Sequence, residues 1–404
     1  MRAELQTEVA RGFATAPTTG PLLKSFYFFF YGAVGCYLTF FAPYLRGLGF
    51  SGEQLGLVQM VSPAVGLLAT LGWAALADRL RAATRALRWC ALLALVSLLL
   101  LPWARTPLQV AAVLLVHNLA APALVPLIDS VTFEWLKGQD GGSYSRTRLF
   151  GTVGGLVLVQ GLGLLLAARG DKPGDIAVPL VLLACVAGYT AVAQLLPPAP
   201  PVDRPPRLGD LRELGGNGRL RLLLGVCLVH WLCSAPYDLL FGVFLRDVGL
   251  PSSVNGLVLA GGTLAEVLVL AAFPALERRL RVGSLLALTF AGTALRWGLL
   301  SVATSGGALA ALQLLHGAMS GLFWATVVKA IGAFVPARLR VTGHALFSAV
   351  VVSGGNTLGY RLAGLGYDRL GGCGQLFAIA SVLELVPLLW VLLLGRRLTS
   401  EETP

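Results

Sequence analysis

Charged side chains are scarce in this 404-residue sequence. Asp, Glu, Lys and Arg make up 13% of it and apolar residues 56%, whereas an ordinary soluble domain is about 25% charged. This shortage excludes a water-soluble globular protein. Acids are the scarcer sign, with 20 Asp and Glu against 31 Lys and Arg, which gives a net charge of +11. Because a basic balance often marks nucleic-acid binding, the positions of the cations decide what this charge means.

Motifs for catalysis or metal binding are also missing. The six cysteines contain no Cys-x-x-Cys pair, and five lie inside apolar runs, which predicts inert thiols instead of a metal cage or a disulfide framework. The sequence has no G-x4-G-K-[ST] phosphate loop, no His-Glu-x-x-His and no Gly-x-Ser-x-Gly. ATP-driven transport and hydrolysis therefore lack support. We expect no enzyme, no cofactor and no metal site.

Long apolar runs occupy most of the chain. A helix of about 20 apolar residues crosses the ~30 Å hydrocarbon core of a bilayer, and the runs lack the period-two alternation of barrel strands. The sequence therefore predicts an all-α membrane protein with twelve transmembrane helices. The predicted spans are 22–45, 53–77, 87–104, 108–135, 148–168, 176–196, 221–245, 254–276, 284–303, 307–335, 341–365 and 375–395.

The cations are distributed unevenly between alternate loops. Twenty Lys and Arg lie on the side of the two termini and six on the other side. Because Lys- and Arg-rich loops stay in the cytoplasm, both termini are predicted to be cytoplasmic, in a cytoplasmic (inner) membrane. These arginines lie in short loops beside spans and form no separate basic domain, so no nucleic-acid partner is expected.

A Pro- and Arg-rich linker at 197–220 divides the spans into two sets of six. The predicted parts are a cytoplasmic tail at 1–21, six-helix halves at 22–196 and 221–395, the linker, and a second tail at 396–404. The tail at 1–21 lacks the apolar core of a signal peptide. At an offset of 200, eight identities fall in twenty-two aligned positions. Parallel repeats of this kind imply a substrate site that opens alternately to each side.

Several segments resemble the major facilitator superfamily. The stretch Ala74-x3-Asp78-Arg79 resembles its loop signature, although Ala74 stands where the signature has glycine. That resemblance implies a latch role for Asp78 and Arg79, with simple topology charges as the alternative. The segments HNLAAPALVPLIDS, YSRTRLFGTVG, ALRWG, LQLLHG and FSAVVVSGG resemble the phenylpropionate permease branch, which is related to lactose and nucleoside proton symporters. This resemblance implies a monomeric secondary transporter.

Ionisable residues within the second half are candidates for proton coupling. A charge at mid-membrane costs about 2.5–3.5 kcal/mol, and Glu266, Arg296 and His316 fall near the middle of spans eight to ten. Relatives in the lactose permease group place an acid, an Arg and a His on the same helices for proton coupling. The alternative is a Glu266–Arg296 ion pair that only joins helices. Asp238 replaces Leu38 of the first half, which predicts a task that one half performs alone, with a satisfied internal acid as the alternative.

The first half supplies candidates for substrate binding. Asp129 and Arg148 are expected to line the substrate path, as an acid and an Arg do in the sugar symporters of this resemblance. A gate or a stabilising pair is the alternative. Further substrate-binding candidates are polar or aromatic residues at mid-depth, with helix packing as the alternative for the aromatic ones: His117, Asn118, Tyr37, Tyr237 and Trp324. Glu384 is expected to reach the membrane surface with its side chain.

The predicted function is proton-coupled symport of a small organic solute by alternating access. The resemblance favours an aromatic acid such as phenylpropionate. The expected partners are this solute, protons and the lipid bilayer. Two alternatives remain open: a proton-antiport exporter of amphiphilic compounds, and a transport-dead membrane receptor or sensor.

Overall fold

The computed structural model describes residues 18–80, 83–137, 143–198 and 213–394. This part of the chain is helical, which confirms the predicted all-α class. Twelve successive helical stretches follow the predicted spans in order. They are α1 (Thr19–Gly47), α2 (Gly52–Gln59 and Val61–Leu80), α3 (Ala83–Trp103), α4 (Pro107–Leu136), α5 (Tyr144–Ala168), α6 (Ala177–Leu195), α7 (Gly218–Asp247), α8 (Asn255–Arg279), α9 (Val282–Leu300), α10 (Gly306–Phe334), α11 (Arg340–Leu370) and α12 (Cys373–Leu394).

Ten helices in the described residues are long and apolar enough to cross a membrane. The protein is therefore a multi-pass membrane protein. The two stretches outside this set are α2 and α11. Helix α2 includes side chains that the structure does not describe, and α11 contains polar residues such as His344, Asn356 and Arg361. Their crossing of the membrane stays a prediction.

Helix α4 is interrupted in its middle. A 3-10 turn at Ala121–Ala123 separates Pro107–Asn118 from Leu124–Leu136. Proline has no backbone N–H and cannot continue a regular helical ladder, so Pro122 accounts for the break. The indole of Trp73 donates a hydrogen bond of 2.7 Å to the carbonyl of Leu119, which satisfies one backbone group beside the break.

The contacts divide the chain into two units. Unit 1 comprises Met1–Phe50 and Val61–Pro205, and unit 2 comprises Ser51–Met60 and Pro206–Pro404. Within unit 1, α1 packs against α5 and α6. Within unit 2, α8 packs against α10, and α7 packs against α11. The predicted halves differ from these units in the segment Ser51–Met60, which the sequence order places in the first half.

The segment Ser51–Met60 is bound to α11. The side chain of Asp368 accepts hydrogen bonds of 2.8 Å from the backbone amides of Gly52 and Glu53. The guanidinium of Arg361 donates to the Glu53 carboxylate at 2.7 Å. An acidic side chain at a helix N-terminus satisfies free amides and complements the helix dipole. These contacts explain why the segment belongs to unit 2.

Candidate functional site

Tyrosines join the two predicted substrate residues of unit 1. The hydroxyl of Tyr27 donates to Asp129 Oδ1 at 2.7 Å. The Arg148 guanidinium lies 3.5 Å from the ring centre of Tyr31 and 5.7 Å from that of Tyr27. The side chain of Tyr144 interacts electrostatically with both Asp129 and Arg148. The cation and the acid therefore share a tyrosine-lined cluster, which sequence reasoning missed although Tyr27 and Tyr31 lie one helical turn apart.

Unit 1 also contains a half-open cavity of about 240 Å³. Helices α1, α2, α3, α4 and α6 contribute to its walls. The lining residues are Phe30, Ala33, Val34, Tyr37, Ser62, Leu98, Leu101, Leu114, His117, Asn118, Ala121, Pro122, Leu182, Val186 and Tyr189. Three of the predicted substrate residues, Tyr37, His117 and Asn118, thus face one space.

Four polar side chains of this cavity bind one another or the backbone. The amide of Asn118 donates to Ser62 Oγ and to the carbonyl of Leu114, both at 2.8 Å. Tyr37 also forms a hydrogen bond with Ser62. The Nδ1 of His117 lies 3.1 Å from the carbonyl oxygen of Ala94. Since a carbonyl only accepts, this contact assigns a proton to Nδ1.

In unit 2, Arg296 is a buried cation with unsatisfied donors. Arg296 is 1% exposed. Its guanidinium lies 4.3 Å from the ring centre of Tyr237 and 4.4 Å from that of Trp297. Its Nε donates to the carbonyl of Leu312 at 3.3 Å. Neither Nη1 nor Nη2 has a hydrogen-bond partner in the described structure. Aromatic faces partly offset the cost of burying this charge.

Tyr237 connects three of the predicted proton-coupling residues. Its ring centre lies 4.6 Å from that of His316, and its hydroxyl donates to Gln313 Oε1 at 3.0 Å. Asp238 follows it on α7 and interacts electrostatically with Arg296. Arg296, His316, Asp238 and Tyr237 therefore form one cluster, which we call the Arg296 cluster.

Glu266 lies outside the Arg296 cluster. It belongs to α8, where its backbone and Cγ lie against the backbone of Gly321 on α10. Among the described residues, neither Arg296 nor His316 donates a hydrogen bond to it. Of the three proton-coupling candidates predicted near the middle of spans eight to ten, the structure brings Arg296 and His316 together and leaves Glu266 apart.

The remaining predicted residues have other surroundings. Trp324 belongs to an aromatic cluster with Trp231, Phe323 and Phe347, at ring-centre distances of 5.5, 5.5 and 6.1 Å. The side chains of the predicted latch residues Asp78 and Arg79 lie outside the part of the chain that the structure describes. Their role stays a prediction.

Glu384 is buried beside His230, a residue that the sequence did not indicate as functional. Glu384 is 0% exposed, so the expectation that its side chain reaches the membrane surface is wrong. Its Oε1 lies 2.5 Å from Nδ1 of His230. The sequence signal was the position of His230 on α7, seven residues before Tyr237 and so near the same helical face.

Comparisons with known proteins place this geometry in a family. The chain is 27% identical over 360 residues to the "Probable 3-phenylpropionic acid transporter" of Escherichia coli (strain K12), covering 85% of this chain and 90% of that protein. It is 28% identical over 395 residues to the maltose permease of Geobacillus stearothermophilus, covering 96% of each. The crystal structure of the nucleoside transporter NupG superposes with a TM-score of 0.84 at 15% identity, covering 94% and 99% of the two chains.

A match to a sequence model of a protein family shows which family the chain belongs to. The model described as "MFS_1 like family" matches residues 22–379, which is most of the chain. A crystal structure of a POT family transporter has the same fold, with a TM-score of 0.74 at 10% identity, and covers 96% of this chain and 98% of its own. The protein is thus a non-enzymatic secondary transporter, and the chain belongs to the MFS_1-like family.

Proposed function

We propose that the protein takes up a small aromatic acid across a cytoplasmic membrane by proton-coupled symport, working as a monomer with alternating access. In this proposal all twelve helices cross the bilayer and both termini are cytoplasmic. The observation that carries the proposal is the cavity in unit 1. The relative named as a 3-phenylpropionic acid transporter supports the same substrate class.

The size and lining of the cavity suit an aromatic ring. An engineered apolar cavity of about 150 Å³ is sufficient to bind benzene, and the cavity here measures about 240 Å³. Ten of its fifteen lining residues are Ala, Val, Leu, Phe or Pro. Ligand sites of this kind bind mainly through apolar contact, with a few polar groups that fix orientation.

The same lining disfavours a sugar, although one relative is a maltose permease. A sugar presents many hydroxyls, and each needs a hydrogen-bond partner when it leaves water. Asn118 and His117 already bind backbone carbonyls, and Ser62 binds Asn118 and Tyr37. Few free donors and acceptors remain, so the cavity favours a ring over a polyol.

Proton coupling is supported by the Arg296 cluster. A buried guanidinium needs negative charge nearby, and Asp238 is the acid that interacts with it electrostatically. Protonation of Asp238 removes this compensation, so the charge state of Asp238 changes the energy of the whole cluster. Such an acid links proton binding to the conformation of unit 2. Glu266 is the competing proton carrier that the sequence predicted.

Uptake into proteoliposomes tests the proposal. We expect an inward-directed proton gradient to drive accumulation of phenylpropionate but not of maltose or uridine. Val186 is 3% exposed and lines the cavity, so Val186→Phe should raise KM on the order of tenfold. Val157, which is 53% exposed, provides the matched control Val157→Phe. Uptake that ignores the gradient, or maltose as the preferred solute, would contradict the proposal.

Cysteine labelling tests the orientation. All six native cysteines are buried, so background labelling by a charged maleimide should be low. We expect Lys172→Cys, between α5 and α6, to react from outside intact cells. Arg338→Cys, between α10 and α11, should react only after the cells are opened. The reverse pattern would show that the termini are outside.

A further inference from the structure

We propose that Glu384 and His230 form a second proton-binding site in unit 2, separate from the Arg296 cluster, which exchanges one proton during the transport cycle. Its role in the cycle depends on the proton coupling proposed above. The existence of the site does not, because it follows from the contacts of α7 and α12 alone.

The pair is enclosed by apolar and aromatic side chains. Glu384 is 0% exposed and His230 is 6% exposed. The imidazole ring centre lies 5.1 Å from that of Phe290 on α9 and 4.6 Å from that of Phe323 on α10. No other side chain in the described part of the chain forms an ion pair with Glu384. The two groups therefore depend on each other for compensation.

The number of protons on the pair follows from charge. Oε2 of Glu384 is buried with no hydrogen-bond partner, and an ionised carboxylate in such surroundings is costly unless it is paired. With one proton, the pair is neutral overall, either as an acid beside imidazole or as a carboxylate beside imidazolium. Loss of that proton to water leaves one uncompensated negative charge on Glu384. The pair therefore exchanges a single proton with water, and the charges around it determine how readily that proton leaves.

The titratable groups around the pair explain how such a change reaches it. Helix α7 contributes the thiols of Cys227 and Cys233, which interact with Glu384, and Asp238, which interacts with His230. Helix α10 contributes His316, which also interacts electrostatically with His230. The facing helix α9 carries the cation of the Arg296 cluster.

Distance keeps the pair separate from that cluster while leaving the two in electrostatic contact. Seven residues separate His230 from Tyr237, which is about 10.5 Å along α7 at 1.5 Å per residue. The hydrogen bonds of the described residues include none between this pair and the Arg296 cluster. A charge in the Arg296 cluster therefore changes proton binding by the Glu384–His230 pair through electrostatic interaction, and not through a hydrogen bond that joins the two sites. A change of charge in the Arg296 cluster is the event that releases the proton.

Infrared titration of the purified protein tests the site without any substrate. Protonated carboxyls give a carbonyl-stretch band and ionised carboxylates give separate carboxylate-stretch bands, so either form of the pair contributes a band that changes with pH. We expect one such band to be absent from Glu384→Gln. The matched control is Ser381→Ala, one turn earlier on α12, where Ser381 only donates to the carbonyl of Ala294. This control should keep the band. A titrating band of full intensity in Glu384→Gln would overturn the proposal.

Two further measurements keep the test decisive. If Glu384→Gln does not fold, His230→Gln should change the pH dependence of the band, and an unchanged pH dependence would overturn the site. In proteoliposomes we expect Glu384→Gln to retain solute exchange while gradient-driven accumulation falls at least tenfold. Wild-type accumulation by this variant would overturn its role in the cycle. Failure of the wild type to carry any aromatic acid would instead contradict the proposed function and leave the infrared result intact.

Discussion

The close approach of α8 and α10 leads to a sharp prediction for Gly317. A methyl group at this position would overlap the backbone carbonyl of Gly262. Backbone atoms cannot rotate away as a flexible side chain does, so α8 and α10 must separate to accept Gly317→Ala. Gly332, also on α10, has open space where a methyl group would lie, and it provides the matched control.

The expected free-energy difference follows from this geometry. Replacing Gly by Ala within a helix stabilises it by up to about 1 kcal/mol, and both variants share this effect. Forcing extra volume into a packed interface costs about 1–3 kcal/mol. Because the obstruction at Gly317 is backbone, we expect the upper part of that range. The free energy of unfolding should therefore be about 2–3 kcal/mol lower for Gly317→Ala than for Gly332→Ala.

Equilibrium unfolding in detergent, followed by far-UV circular dichroism and tryptophan fluorescence, measures this difference. Gly332→Ala should be as stable as the wild type or slightly more stable. Equal stability of the two variants would show that α8 and α10 do not approach as closely as the structure indicates.

Two other predictions concern the ends of helices. Burial alone would raise the pKa of Asp175, between α5 and α6, but hydrogen bonds from Arg169 and a backbone amide and the charge of Arg169 hold it below its ordinary value. A carboxyl whose pKa is lower in the folded than in the unfolded protein stabilises the fold at pH values above its unfolded-state pKa. This contribution of Asp175 should therefore be lost as the pH falls through its folded-state pKa. Thermal unfolding should show that loss in the wild type and not in Asp175→Asn. Asp368→Ala removes the hydrogen-bond acceptor for the amide of Glu53 and should lower the free energy of unfolding by about 1 kcal/mol, whereas an unchanged midpoint would show that this cap contributes nothing.

Helices and family were predictable because each depends on local information. Runs of apolar residues fix the position of a span along the chain, and the break at Pro122 follows from the chemistry of proline. In the cluster around Asp129 and Arg148, the sequence indicated these two residues but not the tyrosines that join them. Tyr27 lies 102 residues from Asp129, and nothing in the sequence order indicates that they meet.

The direction in which a side chain faces around its helix was harder to predict from the sequence than its depth in the membrane. Glu266 and Arg296 were placed at similar depth, yet depth does not say which neighbour a residue faces, and Glu266 lies against Gly321. The same reasoning failed for Glu384, whose position near a predicted helix end suggested access to water. Its helix turns it toward His230, a contact set by the packing of α7 against α12.

The membership of Ser51–Met60 in unit 2 means that the chain passes between the units three times, after Phe50, after Met60 and after Pro205. Proteolytic cleavage within the 197–220 linker would remove only the last of these connections. The N-terminal fragment would still carry the segment that binds Asp368 and Arg361. The two fragments should therefore copurify after cleavage, and genes for the separate halves should complement each other when expressed together.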